Sequence, residues 1–287
     1  MRSQARVFVA GATGTAGSAI AARLRRDGHT VIASTSTAEA APTLQRMGYT
    51  PVVLDLADRR DVRQAVEDHA PDIVVNAARG RTNATTQEPR FADALAEAAD
   101  AVGIDGMVYV SVFRADARTG VPHFDVKAQI EGSLSGRTFP VAVLRPTTFM
   151  NLLLSPMVTG SVRDHGVFAS PQGPDSAIAY IHADEVAAVA GHLIAADRLE
   201  AGVFAFGGPE PLTTREIADR YGQVLGQPID VQQIPLEAIR QSAGEDLAAM
   251  AAYLNTHDFI VSEPTFPAGY VPEPITFDEA RIQAALK

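Results

Sequence analysis

Three glycines follow the first apolar segment of the chain, at positions 11, 14 and 17. At this spacing, the first glycine permits a tight exit from a strand, the second lets backbone approach a diphosphate, and the third lets a helix pack closely on a sheet. Backbone amides at the start of that helix favour negative charge. The segment therefore predicts a dinucleotide-binding loop, with a purely structural turn as the alternative. The residues expected to face the diphosphate are Gly11, Thr13, Gly14, Thr15, Ala16 and Gly17.

A second candidate for chemistry is Lys127, one of two lysines among the 24 lysines and arginines of the chain. A lysine can exchange a proton when burial or a nearby cation destabilises its charge, whereas an arginine cannot. His123 lies four residues earlier, on the same face of a predicted helix, and is a candidate proton donor. Ser111, at the end of a predicted strand, is a third candidate, which would orient a substrate carbonyl. The alternatives are a solvent-exposed lysine and a histidine that faces solvent at the start of a helix.

Strand and helix patterns alternate around these residues. Short, strongly apolar segments of this kind are typical of strands buried on both faces of a parallel sheet. The sequence therefore predicts an α/β fold, a doubly wound parallel (Rossmann) sheet with a smaller C-terminal substrate lobe. The helix before the fifth strand is expected over 91–102, a loop-rich stretch from 151, and one Ala-rich helix over 236–253. The predicted lobes interleave, with 1–150 plus 177–207 forming the dinucleotide-binding core and 151–176 plus 208–287 the substrate lobe.

Composition excludes several classes of partner. The net charge is -10 and no long run of lysine and arginine occurs, so neither nucleic acid nor a membrane surface is expected. No apolar run approaches the ~18 residues that a membrane span needs. Because there is no cysteine and the first strand begins near residue 5, we expect no disulfide, no signal peptide and a cytoplasmic location. The expected partner is a small-molecule substrate, no metal site is expected, and the oligomeric state is left open, with a homodimer among the alternatives.

Six motifs match a known family by their order and spacing, at residues 11–17, 54–58, 127–131, 144–151, 180–186 and 207–213. Through them the chain resembles the NmrA-like group of atypical short-chain dehydrogenases/reductases over nearly its whole length. The resemblance implies an NAD(P)-binding Rossmann domain and a small C-terminal lobe that closes the active site over the nicotinamide. It does not fix a reaction, because the group includes reductases and nucleotide-binding regulators.

The resemblance also implies cofactor contacts beyond the glycine loop. Asp55 and the amide of Leu56 would lie against the adenine, with a turn cap as the alternative for Asp55. The end of the second strand has no carboxylate for a free ribose 2′-hydroxyl, whereas hydroxyls can donate to a 2′-phosphate, so NADP is favoured and NAD is not excluded. The residues expected near that phosphate are Ser34, Thr35, Ser36 and either Arg79 or Arg81. The remaining expected cofactor contacts are Asn76, Ala77, Ala78, Arg79, Lys127, Pro146 and Thr147.

In the relatives that the chain resembles, a lysine at the position of Lys127 holds the nicotinamide ribose and in some reductases serves as the acid/base. Typical members carry a tyrosine four residues before this lysine, and this chain has His123 there. The missing tyrosine argues against alcohol dehydrogenation, while reductases of the isoflavone-reductase type also rely on the lysine without it. The residues expected to line the substrate pocket are Phe113, Phe149, Met150 and Asn151.

The first hypothesis is therefore an NAD(P)H-dependent reductase that transfers hydride to a conjugated or quinone-like small molecule. Lys127 would manage the proton, either through His123 or through water. The alternatives are a redox-sensing regulator that binds NAD(P) without turnover, and a non-redox isomerase or cyclase on the same fold. The intact glycine loop and Lys127 favour chemistry over sensing.

Overall fold

A computed structural model of the protein describes residues 4–80 and 83–287, so Arg81 lies outside the described residues. The strands are β1 (Arg6–Ala10), β2 (Thr30–Thr35), β3 (Thr50–Val53), β4 (Ile73–Asn76), β5 (Gly106–Val110), β6 (Val141–Pro146), β7 (Val167–Ser170), β8 (Ala177–Ile178), β9 (Gly202–Phe206), β10 (Leu212–Thr213) and β11 (Asp230–Gln233). The helices are α1 (Thr15–Arg26), α2 (Ala41–Arg46), α3 (Arg59–His69), α4 (Ala84–Val102), α5 (Pro122–Leu134), α6 (Pro156–His165), α7 (Ala183–Ala195), α8 (Thr214–Leu225), α9 (Leu236–Ala243), α10 (Glu245–Leu254) and α11 (Glu279–Ala285). Across the described ranges, none of these helices has the length and apolar character that a membrane crossing requires.

Seven strands form the main sheet, in the order β3-β2-β1-β4-β5-β6-β9, and all of their pairings are parallel. Every residue of β4 and β5 is buried, because helices cover both faces of the sheet. The strand order reverses between β1 and β4, and ligands of doubly wound sheets bind beyond the carboxyl ends of the strands at such a point. The predicted doubly wound α/β fold is confirmed.

Buried apolar side chains form one cluster on each face of this sheet. The first includes Ile20 of α1 and Val186 of α7, and the second includes Leu95 of α4 and Ile130 of α5. Helices thus cover both faces of the sheet, and the carboxyl ends of its strands are held in place by this packing.

A third cluster of buried side chains contains no residue of the main sheet, and the region around it is called the C-terminal lobe below. It contains Tyr221 of α8 and Phe277 near the C-terminus, together with Phe124 from the first turn of α5. Two small sheets contribute side chains to this cluster, an antiparallel pair of β8 with β10 and a parallel pair of β7 with β11. Helix α5 therefore packs on the main core along its later turns and on the lobe at its start.

Three segments differ from the predictions. The stretch expected to be loop-rich from 151 contains α6 and β7, since Pro156 is tolerated in the first helical turn, Gly160 lies inside α6 and Gly166 is its C-cap. The helix expected over 236–253 is two helices that break at Gly244, whose φ of 91° is left-handed. Helix α4 begins at Ala84 rather than at 91, and Pro89 lies inside it.

The C-terminal chain also covers the free edge of β9. The amide of Thr265 donates to the carbonyl of Ala205 at 2.8 Å, and the amide of Ala205 donates to Thr265 Oγ1 at 2.7 Å. The next ring, Phe266, stacks on Phe206 with 5.4 Å between centroids. Backbone groups on this side of the last strand are therefore partly satisfied from within the chain.

Candidate active site

The glycine loop lies between β1 and α1, and two of its glycines are required by contacts within the chain. Gly11 has a φ of 81°, and a Cβ there would approach the carbonyl oxygen of Ala77 to 2.7 Å. A Cβ on Gly17 would overlap the carbonyl oxygen of Gly11. Substitution at either position would therefore displace backbone.

The outer side of the loop is open to solvent. The nearest atom to a Cβ on Gly14 would be the carbonyl oxygen of Gly11, at an ordinary contact distance of 3.4 Å. Thr13, Gly14 and Thr15 are exposed, no side chain caps α1, and its first turn contains no acidic residue. The free amides of the first turn are thus available to an anion, as a diphosphate site requires.

The turn after β4 contacts this loop. A Cβ on Gly11 would meet both Ala77 and Ala78. Asn76 is buried and its side-chain oxygen accepts the amide of Ala78 at 3.2 Å, which fixes the turn. Arg79 follows with an exposed side chain. The structure therefore brings the first loop and the predicted contacts after β4 together.

The ends of β2 and β3 lie side by side, since Thr35 pairs with Val53. Ser34 and Thr35 are buried, and Thr35 Oγ1 accepts the amide of Thr37 at 3.2 Å. Asp55 is exposed and its Oδ1 accepts the amide of Ala57 at 2.9 Å, so this carboxylate caps a turn. Its second oxygen and the adjacent Leu56 remain predicted adenine contacts.

Lys127 lies on α5 against the end of β5, with its side chain only 14% exposed. Its Nζ is 2.9 Å from Glu88 Oε2 on α4 and donates to the carbonyl of Val110 at 3.2 Å. Nζ also lies 5.2 Å from the ring centroid of Tyr109, within the range of a cation–π contact. Glu88 is 4% exposed, so the two charges form a buried ion pair. Lys127 is not the solvent-exposed lysine of the alternative interpretation.

His123 lies in the first turn of α5 with its side chain 17% exposed. Its Nδ1 is 2.8 Å from Asp246 Oδ1, and its ring packs edge-on against Phe124. Burial lowers the pKa of His123, and the charge of Arg79 lowers it further, while Asp246 and Glu88 act in the opposite direction. His123 therefore does not face solvent, and its environment favours the neutral ring.

Ser111 is buried directly after β5, and its hydroxyl donates to Glu131 Oε1 on α5. Arg145 on β6 donates to the same oxygen at 3.0 Å and to Asp116 at 2.6 Å. The hydroxyl hydrogen of Ser111 is thus engaged in a polar network beside the lysine pair. An orienting role for Ser111 stays a prediction.

The end of β6 lies next to this network. Pro146 is buried in the strand, and Thr147 is buried with its hydroxyl donating to the carbonyl of Ala179. Thr147 therefore ties β6 to the chain that follows β8. The roles of Pro146 and Thr147 as cofactor contacts remain predictions.

The predicted substrate residues occupy different positions. Phe113 and Phe149 are half-buried, and Phe113 packs edge-on against Phe259 of the C-terminal lobe at 5.2 Å. Met150 is 1% exposed and belongs to the lobe's core cluster. Asn151 Oδ1 accepts the amide of Ala183 at 2.9 Å, which joins the end of β6 to the start of α7.

Sequence reasoning missed two carboxylates of this site, Glu88 and Asp246. The helix was expected to begin at 91, so Glu88 fell outside it, whereas α4 begins at Ala84 and includes Glu88. Asp246 is 123 positions from His123, and no local pattern signals that contact. The only sequence signal for Glu88 was its position, as an acidic residue shortly before the apolar part of α4.

The NmrA-like family model matches residues 3–276. A curated relative from Streptomyces griseus, (4-alkanoyl-5-oxo-2,5-dihydrofuran-3-yl)methyl phosphate reductase, is 28% identical over 236 residues, covering 82% of this chain and 79% of its own length. A second, 3-diazoavenalumate denitrifying reductase from Streptomyces sp., is 26% identical over 263 residues, covering 78% of this chain and 82% of its own length.

Two solved structures share the fold. Triphenylmethane reductase of Citrobacter sp., solved with NADP(H), has a TM-score of 0.81 and 17% identity, over 99% of this chain and 100% of that one. An NADPH-dependent quinone oxidoreductase of Escherichia coli, solved with NADPH, has a TM-score of 0.70 and 20% identity, over 87% of both chains.

Proposed function

Because the chain belongs to the NmrA-like family, we propose that it is an oxidoreductase, an NADP(H)-dependent reductase of a small conjugated or quinone-like molecule. The named activities of the two curated relatives support a reductase, and the two solved neighbours with NADP(H) support the cofactor. One observation carries the proposal: an open diphosphate loop and a buried lysine–carboxylate pair lie at the same carboxyl edge of one sheet.

The residues at the loop fit a dinucleotide. The α1 amides lack a side-chain cap, and Gly14 leaves the approach to them free of a Cβ. At the end of β2, Ser34 would donate to a 2′-phosphate, and Thr35 would do so by giving up its 3.3 Å bond to the carbonyl of Thr37. Asp55 with Leu56 at the end of β3 would contact the adenine. When bound, the cofactor supplies a hydride from its nicotinamide.

Lys127 carries the second part of the proposal. Hydride addition to a conjugated carbonyl or quinone leaves negative charge on oxygen, which a fixed cation or proton donor must stabilise. Lys127 is held by Glu88 and the carbonyl of Val110, so its ammonium has one defined position. We assign to Lys127 the charge that stabilises this oxygen and to His123 a share in supplying the proton.

The C-terminal lobe, residues 151–176 plus 208–287, would select the substrate. Phe113 and Phe149 line its boundary with the core, and Leu152 and Met157 beyond β6 are exposed apolar side chains. Apolar and aromatic side chains of this kind suit contact with a flat, conjugated substrate. The division of the chain into two interleaved lobes is part of this proposal.

The test is NADPH oxidation, followed at 340 nm, with a panel of quinones and enones. We expect turnover with the wild type and loss of turnover with Lys127→Ala, while NADPH still binds by calorimetry. Lys287→Ala, the only other lysine substitution that the chain offers, is the matched control and should keep full activity. NADPH binding without turnover on any acceptor would indicate a regulator, and substrate conversion without net NADPH oxidation would indicate an isomerase.

A further inference from the structure

One carboxylate of the site comes from the C-terminal lobe. Asp246 lies in the first turn of α10, and its Oδ1 is 2.9 Å from the backbone nitrogen and 2.8 Å from the Nδ1 of His123. The side chain of Asp246 is 25% exposed. The first turn of α5 is therefore fastened to the lobe through one oxygen atom.

This contact fixes which ring nitrogen exchanges protons. An ionised carboxylate can only accept hydrogen bonds, so Nδ1 of His123 must carry a hydrogen in the neutral ring. Nε2 is then the nitrogen that gains a proton to form the imidazolium and loses it again. In the neutral ring Nε2 accepts a hydrogen bond, and in the charged ring it donates one.

Charged groups from three other elements face His123. Asp246 of α10 and Glu88 of α4 favour the imidazolium, while Arg79 after β4 and burial disfavour it. Burial is the largest of these effects, so the pKa of His123 lies below its ordinary value. A ring of this kind releases its proton readily once it has been charged.

We propose that Asp246 is a positioning residue that keeps a hydrogen on Nδ1 of His123, so that the imidazolium formed by protonation at Nε2 delivers that Nε2 proton to the substrate oxygen. This inference rests on the proposed reductase function. In the step, hydride forms a new C–H bond at the conjugated carbon and the π electron pair moves to oxygen. The Nε2–H bond then breaks as the O–H bond forms, and the neutral ring regains a proton from solvent. The lobe thus completes the acid/base group of the core.

The decisive variant is Asp246→Ala, with Glu245→Ala in the same helical turn as the matched control, because Glu245 pairs on the surface with Arg240. Alanine removes the one oxygen that accepts both the backbone amide and the Nδ1–H of His123, so nothing on α10 then holds the ring in the Nδ1–H tautomer. We expect kcat to fall at least about tenfold, since general acid catalysis contributes about 10²- to 10⁴-fold. The KM for NADPH and the melting temperature should stay near those of the control.

Two further readouts separate catalysis from packing. Removing Asp246 removes an influence that raises the pKa of His123, so the midpoint of the kcat/KM profile should move to lower pH. The ¹⁵N shifts of the His123 ring, measured on the protein without substrate, should change from the Nδ1–H to the Nε2–H pattern. Turnover with an unchanged midpoint and an unchanged tautomer in Asp246→Ala would overturn the positioning role alone. Absence of turnover by the wild type with every acceptor would overturn both the reductase and the proton transfer.

Discussion

The buried ion pair between Lys127 and Glu88 makes a quantitative prediction about stability. At 2.9 Å and an effective dielectric constant of about 20, the two charges attract by about 6 kcal/mol. Desolvation of both groups offsets much of this attraction, but removing one partner leaves an uncompensated buried charge, which costs about 3–5 kcal/mol. We therefore expect Lys127→Met and Glu88→Gln each to lower the free energy of unfolding by about that amount.

The double variant should lose less stability than the sum of the two single-variant losses, because it contains no unpaired charge. We expect a coupling energy of at least about 2 kcal/mol between the two positions, within the range seen for residues in direct contact. The measurement is urea unfolding at pH 7 for the wild type, both single variants and the double variant, with equal m-values as the check on a common transition.

An exposed pair of similar length is the control for this cycle. Arg63 Nε and Glu67 Oε1 on α3 are 2.7 Å apart, with 64% and 40% of the side chains exposed. Neutral substitutions of this pair should show a coupling energy of about 0.5 kcal/mol or less. Additive effects of the Lys127 and Glu88 variants, within about 0.5 kcal/mol, would refute the argument that their burial controls the electrostatics.

Two further predictions concern the loop and a second buried carboxylate. Gly17→Ala should lower the melting temperature, because its Cβ would force backbone atoms apart. Gly14→Ala should keep the melting temperature but weaken NADPH binding, measured by calorimetry, about tenfold or more. Gly132→Ala in α5 is the control. If Gly14→Ala binds NADPH as tightly as Gly132→Ala does, the assignment of the loop to the diphosphate is wrong. Burial raises the pKa of Glu185 to about 7, above its ordinary value of 4.5. Its contribution to the free energy of unfolding is therefore complete below about pH 4.5 and is lost as pH rises through about 7. In Glu185→Gln, the urea unfolding midpoint should no longer fall over this pH range. A variant whose midpoint falls with pH as the wild type's does would contradict the raised pKa of Glu185.

The parts of the fold that could be predicted are those coded by local patterns. Alternating apolar segments and the spacing of Gly11, Gly14 and Gly17 predicted the sheet and its first loop, because each depends on residues within one turn or strand. The capping box of Thr213 and Glu216, which begins α8, is local in the same sense, because its two residues are three positions apart. These features follow from backbone conformation and burial alone.

The missed parts depend on contacts between distant segments. Pro89 is tolerated inside α4 because it lies in the second turn, where a single lost backbone bond is a limited cost beside the packing of the helix on the sheet. Gly244 separates two helices whose composition alone suggested one. The partners of Lys127 and His123 could not be read from sequence, since Glu88 and Asp246 reach the site through tertiary packing.

The hydrogen bonds of Thr265 along the outer strand have a consequence for how copies of this protein meet. An unprotected outermost strand is a template on which another molecule can add its own strand. Thr265 and Phe266 occupy that position from within the same chain. Thr265→Pro would remove both the amide donor and the hydroxyl acceptor that pair with Ala205 and so uncover this part of the strand, and the variant should self-associate in a concentration-dependent manner.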